Sequence, residues 1–353
     1  MLLLLVLVAT TTCNVVPLGD GERRTRVAEL AGDVMVPTLD EAAVRTGALA
    51  AALADLAAAP AQPALDRARA AWRAARVPWK QSEAFAFGPA MDERLAAAID
   101  QVVEPARIDD ELAGTAALTP AYVANLGANK KGFHTVEYLV FGDDATILAA
   151  LAGEPRRRDY VTSLGVALAA DMQRLAQLWS EDYVAVLTLP GAGNATFPTI
   201  KTVVDTVVNE SVFLAELIAD SRIGKPLGNA SGGTPQPALE ESGPSDNSLA
   251  DMTASLQGIQ AVYRGTRDGG GEAGVRALIA SRSPALDREV ELALSNALAA
   301  IAAVPRPFRT AIVTARAEVE AAYAAVKELK TLLGTEVVAT LGATLQFNDN
   351  DGD

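Results

Sequence analysis

Apolar residues three and four apart constrain this chain most. Leu65, Ala68, Trp72, Ala75 and Trp79 keep that spacing, as do Leu164, Leu168, Met172, Leu175 and Trp179, and only a helix puts such residues on one face. The pattern runs from about Leu39 to Asp220, and alternating β-type runs are scarce. Half the residues are apolar but aromatics are only 5%; much of the apolar share is alanine, which loses no side-chain entropy in a helix. An all-α fold is predicted, both tryptophan stripes reading first as packing. Pro60, Pro63, Pro78, Gly88-Pro89, Pro105, Gly127, Pro155 and Pro190 cut the pattern into segments where a missing N–H or a free φ ends or bends a helix.

At 353 residues the chain exceeds the usual size of a single core. Between Gly224 and Pro244, nine of 21 residues are Gly or Pro and the periodicity vanishes, which makes 224–244 the best linker. Residues 14–223 read as an N-terminal helical bundle and 245–353 as a second, smaller one. Ser248 and Asp251 have the spacing of a capping box, opening a helix that carries Leu249, Met252, Leu256, Ile259 and Val262. Helices over about Gly271–Val304 and Pro307–Leu333 follow, and Ala339–Phe347 is a weak strand-like run.

Residues 1–13 read as a signal peptide: Met1–Ala9 is too short to span a bilayer, which needs about 20 apolar residues. Cys13, the only cysteine, stands where a bacterial lipoprotein carries its acylated residue; the other reading is a signal peptide cleaved nearby, with Cys13 idle or lost. A formal charge of −14 argues against nucleic-acid binding and against attraction to an anionic lipid surface, leaving a lipid anchor as the only membrane link.

One stretch carries metal-ligand chemistry. In KGFHTVEYLVFG, Lys131–Gly142, the only histidine, His134, and Glu137 lie one turn apart on one helix face. A neutral imidazole and a carboxylate at i, i+3 suit iron, zinc or copper, and they equally suit a plain hydrogen bond on a helix surface or a buried polar pair. Gly132 lets another backbone or a ligand come close. A second stretch, Trp72–Pro89, sets Glu83 beside a helix-interrupting proline among aromatic and apolar residues, where a carboxylate needs a partner or a cation if buried; on an exposed face it needs neither.

Together with Lys225–Gly228 (KPLG), Glu241–Asp251 (ESGPSDNSLAD) and the terminal FNDNDGD, these stretches resemble the imelysin family, in order from about residue 40 to the end. The resemblance implies two helical bundles, export to the periplasm or a membrane anchor, and a part in iron acquisition. The family's GxHxxE motif falls on Gly132, His134 and Glu137, with Ser82, Glu83 and Phe85 and then Glu241, Ser242 and Ser245 as further matching stretches. It implies one site between the bundles. There Glu83, His134 and Glu137 would bind a metal, iron first and zinc second, and Arg76, Ser82, Gly132, Glu241, Ser242 and Ser245 would line the cleft around the ion or an iron-containing ligand.

The family also carries a peptidase label. A zinc peptidase usually has three protein ligands and a separate base, often as HExxH. This chain has one histidine and no HExxH, and Ser242 or Ser245 could act as a nucleophile only by reaching His134, with no GxSxG elbow nearby. A metallopeptidase and a non-catalytic module for an envelope protein partner remain the alternatives.

Overall fold

The computed structural model describes residues 19–268, 271 and 273–345. Cys13 and the signal-peptide residues lie outside the described residues, as does the terminal FNDNDGD. All regular structure among the described residues is helical. The helices used below are α1 (Asp20–Glu29), α2 (Val36–Ala58), α3 (Gln62–Ser82), α4 (Leu95–Asp100), α5 (Gly132–Val140), α6 (Pro155–Gln177), α7 (Ile200–Glu216), α8 (Ser248–Arg264), α9 (Pro284–Ala303) and α10 (Arg316–Leu332). None is long and apolar enough to cross a membrane.

Proline opens α2, α3 and α6 in their first turn, where its missing N–H would have had no partner. α2 packs against α3 and α6, and both tryptophan stripes are buried along their length. In the second bundle α9 packs on α10 and α8, with Leu249, Met252, Leu256, Ile259 and Val262 buried. α7 precedes the Gly/Pro-rich stretch in the chain yet packs on α10 and α8, while α8 also lies along α3. The two bundles therefore share one continuous apolar core.

Three local expectations are corrected. Ser248 and Asp251 form no capping box: Asn247 is the N-cap without a side-chain cap bond, because buried Asp251 is held by Arg76 and Asn247. The predicted helices over 271–304 and 307–333 are each broken. Ser283 caps α9 behind a separate turn of helix at Gly274–Ala280, and Ala315, outside helical φ/ψ, divides Phe308–Thr314 from α10. The strand-like run is helical through Leu341 and forms no strand through Leu345; Val337, Val338 and Leu341 are buried, so tertiary packing decides its conformation.

The Gly/Pro-rich stretch is ordered into short turns at Lys225–Leu227 and Pro237–Leu239. Gly228 has φ 95°, and a Cβ there would lie 2.1 Å from the Thr234 carbonyl oxygen, so only glycine closes this turn.

Candidate functional site

Arg76, Lys80 and Glu83 follow at i, i+4 and i+7 down one face of α3 and into the 3-10 turn Glu83–Phe85. Arg76 and Lys80 are almost wholly buried, so each charge needs several partners. Arg76 grips Asp251 with Nε at 3.2 Å and Nη2 at 2.7 Å, pairs with Asp100, and lies over the Trp72 and Phe133 rings. Lys80 bonds Asp100 at 2.7 Å, Glu83 at 2.9 Å and also Glu241.

Asp100 arrives at the end of α4. Gly132 is why α4 can come so close: it has φ 82°, and a Cβ there would sit 2.4 Å from the Ile99 carbonyl oxygen. The close approach expected at Gly132 is thus made by the last turn of α4, which brings Asp100 to α5. Asp100 also accepts the Trp79 indole N–H at 2.7 Å. Burial raises its carboxyl, but the charges of Arg76, Lys80 and His134 outweigh this and hold it well below the usual range.

On α5, His134 and Glu137 are buried and 2.8 Å apart, Nδ1 to Oε2. The other Glu137 oxygen accepts the Ser245 N–H at 3.0 Å and its hydroxyl at 2.6 Å. Glu137 is thereby tied to the segment before α8 and fixes the imidazole ring. The far nitrogen, Nε2, is buried without a hydrogen bond, although Asp100 Oδ1 lies 3.3 Å and Glu241 Oε1 3.8 Å away. One donor atom each from Asp100, His134 and Glu241 falls within 4.8 Å of the others. Burial pulls the imidazole pKa down, but Asp100, Glu137 and Glu241 prevail and push it up to about 9.

Glu241 comes from the Gly/Pro-rich stretch. Arg222 bonds it at 2.6 Å, Lys80 pairs with it too, and despite burial these charges draw its carboxyl well down. Arg222 sits in a π-helical turn, Leu217–Gly224, that continues α7, and it also bonds both oxygens of Glu83 at 2.6 and 2.9 Å.

Of the residues singled out in the sequence, His134, Glu137 and Ser245 meet directly, and Arg76, Ser242 and Glu241 adjoin them. Glu83 belongs to the same network, with Arg222, Lys80 and Ser255 as partners rather than His134. The Ser82 hydroxyl donates to the Trp79 carbonyl, and Phe85 packs on Trp179. Ser245 donates to Glu137 and Ser242 to Asp251, so neither hydroxyl is bonded to His134. Sequence reasoning missed Asp100, Lys80, Arg222 and Asp251. Lys80 is one turn beyond Arg76 on the same α3 face, a spacing that could have signalled it.

The fold and site define an all-helical protein of two joined bundles that bury a histidine–carboxylate cluster between them. The imelysin family model matches residues 35–334, and the chain belongs to that family. It is 30% identical over 247 residues to "Iron-regulated protein A" of Synechococcus elongatus, an alignment covering 68% of this chain and 64% of that protein. The chain thus spans just under two thirds of this relative's length. The crystal structure of a putative iron-regulated protein A precursor from Parabacteroides distasonis superposes with TM-score 0.83 at 23% identity, covering 93% of this chain and 97% of that one. An imelysin-like protein from Psychrobacter arcticum gives TM-score 0.78 at 18% identity, covering 94% and 99%. Both likenesses are of fold.

Proposed function

We propose that this protein binds iron as a cargo ion in the cell envelope, with Asp100, His134 and Glu241 as ligands. The observation that carries the reading is the buried Nε2 of His134, which has no hydrogen bond and faces two carboxylates. Glu137 on Nδ1 would act as the outer partner that orients a metal-bound histidine, while Glu83, the other acidic residue expected as a ligand, would hold Arg222 and Lys80 in place.

Charge fits this assignment. Glu83, Asp100, Glu137, Glu241 and Asp251 face Arg76, Lys80 and Arg222. With a neutral imidazole, two negative charges are left over, the charge of one divalent ion. One nitrogen and two oxygens suit iron and also zinc. The names of the relatives favour iron, and the N-terminal residues 1–13 favour export with Cys13 as a lipid anchor.

The test is calorimetry and thermal denaturation of the full chain with ferrous iron under anaerobic conditions, and with zinc. Saturable binding and a raised Tm are expected, lost in His134→Ala and in Asp100→Asn. Binding should tighten as pH rises towards about 9, because the metal displaces the imidazole proton. A wild-type chain that gives neither heat nor Tm shift with either metal at pH 8 overturns the proposal and leaves the cluster as a structural ion-pair hub.

A further inference from the structure

Beside the charged cluster opens a cavity of about 1030 Å³. An ion with a few waters, each taking roughly 30 Å³, needs a small part of it, so the cluster does not account for its size. One wall is a single face of α7 and its π-helical continuation, with Glu210, Phe213 and Leu217 at i, i+3 and i+7. Another is the segment ahead of α4, including Met91, and Lys80, Asp100 and Glu241 of the charged cluster line the cavity as well. Met91 and Leu217 are 57% and 42% exposed, so large apolar side chains line the open side, at a volume typical of small-molecule sites.

Glu210 is the odd carboxylate on this wall. Glu216 pairs with Lys330, Asp220 with Lys327, and Glu83 with Arg222, but Glu210 has no hydrogen bond or ion pair among the described residues. Burial, and then the charge of Glu83, push its carboxyl up to about 7. A recessed acid without a cation, on a wall whose other acids are all paired, has the chemistry to receive one.

We propose that this cavity binds a small amphipathic organic cation, its apolar body against Met91, Phe213 and Leu217 and its ammonium group at Glu210. An organic anion would meet Glu83, Glu210, Glu216 and Asp220, while the lining cations Lys80 and Arg222 are already paired and Lys225 is exposed. The cavity also reaches Asp100 and Glu241 and so adjoins the proposed metal site, but His134 does not line it and the contacts proposed for the amine are at Glu210, Met91, Phe213 and Leu217.

The probe is 2-phenylethylammonium added to the full chain at pH 8, followed by tryptophan fluorescence, since Trp79 and Trp179 line the cavity. Saturation with a Kd of about 1 mM or tighter is expected, a fair affinity for a molecule of this size. 3-Phenylpropanoate should not bind. Glu210→Gln, which keeps the side-chain shape, should weaken the amine about tenfold or more, the usual scale for a bond to a charged group. Phe213→Ala should weaken it through lost apolar contact, and His134→Ala should bind like wild type even where metal binding is lost. Equal binding of amine and carboxylate, no saturation by about 10 mM, or an unchanged Kd in Glu210→Gln would each overturn the proposal.

Discussion

Two neighbouring regions handle buried charge in opposite ways. Around His134, Asp100 and Glu241 each carboxylate is tied to two or more cations or donors, and burial is offset by pairing. Around Glu210 a carboxylate stands without a cation on a wall whose other acids are paired, and burial is offset by holding on to a proton. The first region can be rigid and specific because removing any member leaves another charge stranded; the second keeps a vacancy of charge that a ligand can fill.

Arg76 should break this contrast most severely. Arg76→Met strands Asp251 and part of the Asp100 charge, and loss of one partner from a buried network costs about 3–5 kcal/mol; chemical denaturation should report that loss, and a change under about 1 kcal/mol would mean the network is well hydrated. Gly132→Ala comes next. A non-glycine residue at φ 82° with its Cβ 2.4 Å from the Ile99 carbonyl should cost about 1–3 kcal/mol or more, and by pushing α4 away it should weaken metal binding as well. Stability without any metal effect would detach Gly132 from Asp100.

A smaller and pH-dependent effect is expected at Glu210. Its folded pKa of about 7 lies above the unfolded 4.5, so folding takes up a proton between these values. The contribution is full below about 4.5 and lost as pH rises through about 7, a change of at most about 3 kcal/mol. The difference in Tm between wild type and Glu210→Gln should therefore shift in favour of the variant from pH 4.5 to 8; a constant difference would place the carboxylate in water. The exposed pair Arg316–Glu320, 2.7 Å apart on α10, is the low end of the scale. Arg316→Ala should change stability by no more than about 0.5 kcal/mol, and a larger loss would show that the Arg316 bond to the Leu227 carbonyl anchors the turn beside it.

Much of the helical framework was legible because a period near 3.6 is a local property. The stripes Leu65–Trp79 and Leu164–Trp179 are buried as their spacing predicts, and His134 meets Glu137 at 2.8 Å, a contact that one helical turn makes possible. Breaks were harder to see: Ala315 carries no stop signal, and the capping pattern at Ser248–Asp251 was overruled once Arg76 claimed Asp251.

The sequence by itself determined most of the helices, the His134–Glu137 pair and the family, since each depends on residues within a turn or two or on motifs in a fixed order. Tertiary structure alone decided that His134 Nε2 faces Asp100 and Glu241, 34 residues before it and 107 after it. It also decided that Glu83 belongs to Arg222, and that Glu210 is left without a cation. Long-range charge pairing is chosen by whichever helices pack together, and no spacing along the chain encodes that choice.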